Sequence, residues 1–270
     1  MAADDFDEGA VPGHVAIEQE DEVVVATLVN PARRNAISVD MWRELEAFAL
    51  SVTADTDVRV VIFQGMGGVF SAGADISGFE ESRADRDSAR LYDDQLELAC
   101  AAIEAIRQPT IARLEGPVVG AGAALALSCD LRIAAEDAFF MVPAARLGLG
   151  YDPRGVARLA RSVGAATARW ILLTAGRLPV QRAFVTGAVH EILSADQLDI
   201  AIERLAARLS ENAPLTLAAA KVSLRAAADG ADPALLEEAW RLVNLADESD
   251  DYVEGRSAFN EKRPPHFEGR

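Results

Sequence analysis

Cysteine is scarce in this chain, with only Cys100 and Cys129 among 270 residues and no CxxC pairing. That argues against a disulfide framework and a zinc site, and it suits a reducing cytoplasm. Histidine is nearly as rare. His14, His190 and His266 stand far apart without ligand spacing, so no metal site is expected and none of the three is assigned to catalysis. Basic residues are outnumbered, 26 Lys and Arg against 43 Asp and Glu, for a formal net charge of −17. Such a surface repels nucleic acid and anionic membranes, although a local basic cluster can still hold an anionic ligand. No stretch approaches the uninterrupted apolar length of a membrane span. The opening MAADDFDEGAVPG is acidic and has no apolar segment, so residues 1–13 read as a mobile tail and not as a signal peptide. Three common motifs are also missing. There is no Walker A sequence and no GxSxG elbow, and Gly120–Leu125 begins like GxGxxG but has leucine where the third glycine belongs.

What is present is apolar material in regular alternation. Half the residues are hydrophobic, enough for a sizeable core. Val15–Gln19 and Val23–Val29 read as strands joined at the acidic turn Glu20-Asp21-Glu22. Ser38 begins a helix to about Ala54, with Met41, Leu45, Phe48 and Val52 on one face. Val58–Gln64 is a strand whose apolar run predicts cover on both sides. Residues 88–107 form a helix, Thr110–Leu114 a strand, Gly116–Gly122 a turn feeding a small-residue helix, and residues 130–135 and 138–141 short strands. Helices are predicted over 153–163, 165–174, 179–186, 195–210, 213–228, 232–246 and 248–260. This is an α/β chain, with a core over 14–193 and a helical lobe over 194–270.

Two junctions between loop and helix stand out. One is Phe70-Ser71-Ala72-Gly73-Ala74-Asp75-Ile76, and the other is Gly116-Pro117-Val118-Val119-Gly120-Ala121-Gly122. Small residues there allow close approach to the backbone, and a helix start offers N–H groups without intrahelical partners. Two such donors aimed at one point would form an oxyanion hole. On the residues alone, tight helix–sheet packing is the favoured reading.

These segments resemble the signatures of the crotonase (enoyl-CoA hydratase/isomerase) family. FSAGADI is similar to its first signature, and Glu115-Gly116 through Cys129-Asp130 is similar to its second. Asn30-Pro31-Ala32-Arg33-Arg34-Asn35-Ala36, the block from Ala138 to Gly148, and Phe259 through Pro265 match other family elements in the right order. The resemblance implies a spiral of ββα units with a helical C-terminal trimerisation lobe, assembled as a homotrimer or a dimer of trimers. It implies an acyl-CoA thioester as ligand and no cofactor beyond that CoA. It places the N–H groups of Ala74 and Ala121 as the oxyanion donors. Ala36, Ala72, Asp75 and Ile76 would lie along adenine and pantetheine, while Arg33 and Lys262 would face the phosphates, with Phe259 nearby.

The chain departs from the family where hydratases carry two glutamates, since those positions are Ala124 and Ala144. Alanine can neither activate water nor deliver a proton. One carboxylate remains close by, Asp152, where certain family isomerases carry a single aspartate. Burial beside Leu149 and Tyr151 is expected to raise its pKa. Asp152-Pro153 is equally a good helix start, and Arg154 or Arg158 could hold the carboxylate in an ion pair. Three functions stay open: an enoyl-CoA isomerase using Asp152, a non-catalytic acyl-CoA-binding protein, and a weak hydratase.

Overall fold

Val23–Val29 alternates buried and half-buried residues, as a strand covered mainly on one face should. It is β2, and it pairs antiparallel with His14–Glu20 (β1) around Asp21, whose φ of 50° suits a short polar residue in a tight turn. The computed structural model describes residues 12–75, 86–228 and 230–270. Most of the expected tail, and Ile76, lie outside them. Ser38 accepts a hydrogen bond from Met41 N–H and so caps Val39–Ala54 (α1), which buries Met41, Trp42, Leu45, Ala49 and Val52.

The chain continues through Val60–Gly65 (β3), Arg86–Glu104 (α2), Thr110–Leu114 (β4), Pro117–Val119 (β5) and Ala121–Ser128 (α3). Next come Leu131–Ala135 (β6), Phe139–Met141 (β7), Ala144–Leu147 (α4), Pro153–Val163 (α5) and Ala165–Thr174 (α6). Leu178–Pro179 (β8), Val180–Val185 (α7) and Glu191–Leu193 (β9) complete the alternating part. One sheet has the order β1-β2-β3-β4-β6-β9, parallel from β2 onward, and a second has the order β5-β7-β8. Ala195–Ser210 (α8), Pro214–Ala228 (α9), Pro233–Asp247 (α10) and Asp250–Glu261 (α11) follow, so beyond Leu193 every regular element described is helical.

The apolar run in β3 faces two ways. Val61 and Phe63 join the larger core with Trp42, Met41 and Ile103, while Val60 and Ile62 pack with Ile111, Ile133 and Ala135 against Leu198, Ile202 and Ala206 of α8. The first helix past residue 193 is therefore the cover of the sheet's second face. Lys221 of α9 adds a polar tie, with Nζ 2.6 Å from Asp130 Oδ2 and donating to the Gln108 carbonyl. Among the described residues, no helix is long and apolar enough to cross a membrane.

Several short elements differ from expectation. Residues 117–119, inside a stretch read as a turn, form β5, because the Pro117 and Ser71 carbonyls accept from Ser71 N–H and Val119 N–H. β8, β9 and α4, of two, three and four residues, are additional. Elements this short are fixed by the partner's hydrogen bonds and carry no periodic pattern of their own.

Candidate active site

Asparagine side chains organise the first junction. Asn35, fully buried with φ 56°, donates from Nδ2 to the Met66 and Val69 carbonyls and accepts from Asn30 N–H. Asn30 Nδ2 donates to the Ala36 carbonyl. The segment so held lies along the loop at 72–75: Ala72 N–H donates to Arg34, Ile37 N–H to Gly73, and Asp75 N–H to Ile37. Ile37 and Ala74 face each other as a parallel bridge. In that register the Ala74 N–H points away from Ile37, and it has no hydrogen-bond acceptor among the described residues.

The second junction is locked beside the first. Ser71 and Val118 form a bridge, and Gly120 N–H donates to the Met141 carbonyl of β7. Ala121 then opens α3, so its N–H is one of the donors that a helix start leaves over, and it too has no acceptor among the described residues. The close approach requires Gly122, where a Cβ would stand 2.6 Å from the Ser71 Cβ.

Ala74 and Ala121 line one cavity of about 140 Å³. Ala72, Val142, Ala144, Leu147, Leu149, Tyr92 and Leu96 supply much of its apolar wall, and Asp93, Glu97, Tyr151 and Asp152 its polar one. Asp152 thus shares the cavity with both backbone donors. It is also the N-cap of α5: its Oδ1 accepts from Arg154 N–H at 2.7 Å, and the Arg154 guanidinium reaches both carboxylate oxygens at 3.0 and 2.7 Å. Arg154 extends the link to Asp94 of α2. The expected rise in the Asp152 pKa is overturned. Hydrogen bonds from Arg154 hold it below the ordinary carboxylate range, because the side chain lies beside a guanidinium and not in a dry apolar niche.

A sequence profile of the enoyl-CoA hydratase/isomerase family matches residues 18–270. The chain belongs to that family, within the crotonase superfamily. It is similar to the protein named "Probable enoyl-CoA hydratase echA6" of Mycobacterium leprae, 36% identical over 262 residues, covering 94% of this chain and 99% of that one. It is also similar to the 2,3-dehydroadipyl-CoA hydratase of Escherichia coli K12, 35% identical, covering 94% and 98%. Among solved structures, an enoyl-CoA hydratase/carnithine racemase from Magnetospirillum magneticum superposes with a TM-score of 0.87 at 32% identity, covering 95% and 96%. The crotonase fold and acyl-CoA handling follow from membership.

Ala124 and Ala144, the alanines read at the expected glutamate positions, part company here. Ala144 lines the cavity, whereas Ala124 faces the core from α3. Of the residues expected along CoA, Ala72 reaches the cavity, and Ala36 is buried beside the Asn35 clamp. Arg33 and Asp75 are paired with each other, Nη1 to both carboxylate oxygens at 2.9 and 2.7 Å. Phe259 and Lys262 sit at the end of α11, exposed and outside the cavity lining. Glu97, Asp93 and Tyr92, which the structure adds to the wall, come from α2. There the acidic spacing reads as an ordinary solvated helix face, and no sequence signal separates them. Glu97 is only 7% exposed, its two oxygens held by Arg158 at 3.1 and 2.7 Å, and Arg158 Nε also donates to Glu104.

Proposed function

We propose that this protein shifts the double bond of an enoyl-CoA thioester, with Asp152 as a single acid/base and the N–H groups of Ala74 and Ala121 as the electrophile. The observation that carries this reading is that all three line the same cavity. The carboxylate removes a proton from C2 of a 3-enoyl thioester. Electrons move into the C1 carbonyl, and the resulting dienolate oxygen is held by the two N–H groups. Asp152 then delivers the proton to C4, leaving the conjugated 2-enoyl product with no net change in atoms. The low pKa of Asp152 means that it starts ionised, as the first step requires. Concerted hydration is disfavoured because neither Ala124 nor Ala144 can activate water.

CoA itself would lie along Ala36, Ala72, Asp75 and Ile76, with Lys262 facing a phosphate and Phe259 nearby. Arg33, whose Nη1 is held by Asp75, would face a phosphate through its remaining N–H donors. Residues 14–193 would form the acyl-CoA-binding core, and residues 194–270 the assembling lobe of a cytoplasmic homotrimer or dimer of trimers.

A second reading, acyl-CoA binding without turnover, is favoured by one observation. The Asp152 carboxylate already serves as helix cap and ion-pair partner, which accounts for it without catalysis. Purified protein should be offered a 3-enoyl-CoA and, separately, a 2-enoyl-CoA, with the conjugated-thioester absorbance followed in both. A rise with the first and no fall with the second supports isomerisation. A fall with the second supports a weak hydratase using Asp152 and a water. No change in either, with binding shown by calorimetry, supports the binding reading.

A further inference from the structure

Two tyrosines line the acyl cavity, and they differ in what their hydroxyls do. Tyr92 accepts from Trp42 Nε1 at 3.3 Å and donates to the Ile37 carbonyl at 3.5 Å. Tyr151 has no hydrogen-bond partner among the described residues, although its ring packs into the core and stands over Gly155 in α5. A Cβ at Gly155 would meet that ring at 3.1 Å, so the glycine makes the room that Tyr151 occupies. Burial pushes the Tyr151 phenol well above its usual range, which keeps it a neutral hydroxyl able to donate. Glu97 is the complementary group. Arg158 engages each of its oxygens once, yet a carboxylate can accept about four hydrogen bonds, and Glu97 also lines the cavity.

A tyrosine hydroxyl and a carboxylate with capacity to spare, both on the wall of a largely apolar cavity, offer a ligand one donor and one acceptor. A group that both accepts and donates fits the pair, and a hydroxyl does so in the smallest volume. Charge narrows the choice further. Among the described residues, the ionisable side chains that line the cavity are, besides the tyrosines, Asp93, Glu97 and Asp152, with no Lys, Arg or His. The nearby guanidiniums of Arg154 and Arg158 already neutralise carboxylates. An acyl chain ending in a carboxylate would be set among three wall carboxylates, unlike a neutral hydroxylated one.

Resting on the reading of this cavity as the acyl pocket, we propose that Tyr151 and Glu97 form a polar subsite that selects hydroxylated acyl-CoA thioesters over unsubstituted and carboxylated ones. Tyr151 donates to the substrate hydroxyl, whose own proton goes to a Glu97 oxygen.

Calorimetric titration of the full chain with matched thioesters of one chain length tests this. The set holds the unsubstituted acyl-CoA, isomers hydroxylated at successive carbons, and the ω-carboxylated analogue. At least one hydroxylated member should bind about tenfold tighter than the unsubstituted one, as one or two neutral hydrogen bonds allow. The carboxylated member should bind more weakly than either. In Tyr151→Phe the ratio of hydroxylated to unsubstituted affinity should fall to about one. If that variant does not fold, Gly155→Ala, which displaces the same ring, should lower the same ratio. A wild-type ratio near one for every isomer overturns the subsite, as does a preference that survives in the variants. Failure of the unsubstituted thioester to bind at all overturns the acyl-pocket reading itself, and the subsite with it.

Discussion

Asp152 carries two demands that one substitution can separate. Asparagine caps a helix about as well as aspartate but cannot take up a proton, so Asp152→Asn keeps the Arg154 N–H bond and removes the charge. Isomerase turnover should fall roughly a hundredfold or more in the variant while acyl-CoA affinity persists. A robust activity that survives the change would remove Asp152 from the mechanism. The same residue sets a pH dependence. Its folded-state pKa is depressed by Arg154, so the stability it contributes is present above the unfolded-state value and is lost as pH falls through the folded one. Acid unfolding followed by circular dichroism should therefore show wild type losing more stability than Asp152→Asn on the acid side, and parallel curves would refute the assignment. The place of Asp152 was legible because the family block around Pro143 and Gly148 fixes it. Its pKa was not, because the direction depends on which neighbour its carboxylate meets, and sequence order offered Leu149 and Tyr151 as readily as Arg154. Tyr151 and Glu97 were less legible still, one reading as apolar cover and the other as a solvated charge.

At the scale of elements, two contacts hold the site in shape. The first is the approach of the two junctions at Gly122 and Ser71. Gly122→Ala would force a Cβ to within 2.6 Å of the Ser71 Cβ, so stability should drop by about 1–3 kcal/mol in denaturant unfolding. Acyl-CoA affinity should fall as well, since Ala121 is the next residue. Combining it with Ser71→Gly should recover part of the loss, and a single variant as stable as wild type would show that the junctions can move apart freely. The second contact is the Arg158 fork between α5 and α2. Arg158→Met would leave Glu97 without its buried partner, and truncating one side of such a pair costs about 3–5 kcal/mol. An unchanged melting temperature would contradict that value. Long strands and helices could be read from period and composition, as α1 and β3 show. β5 and β9 could not, because three residues define no period and their pairing comes from segments distant in sequence.

The whole molecule joins a strongly acidic surface to a helical end that shows apolar side chains to solvent. Leu236, Trp240 and Leu245 of α10 and Tyr252, Val253 and Phe259 of α11 are all exposed in the single chain. Several large apolar groups on two successive helices suggest a surface meant to be covered, and in the proposed trimer two further copies of the chain would supply that cover. Light scattering should then give three times 28.8 kDa, or a multiple of that trimer. Chains of net charge −17 repel one another, so lowering the salt should weaken the assembly, opposite to what contacts between unlike charges would show. Trp240→Glu places a charge in the apolar face and should shift the mass toward a single chain while leaving the far-ultraviolet spectrum in place. A wild-type chain that scatters as a monomer at every salt concentration would mean that these side chains are covered by something other than copies of itself.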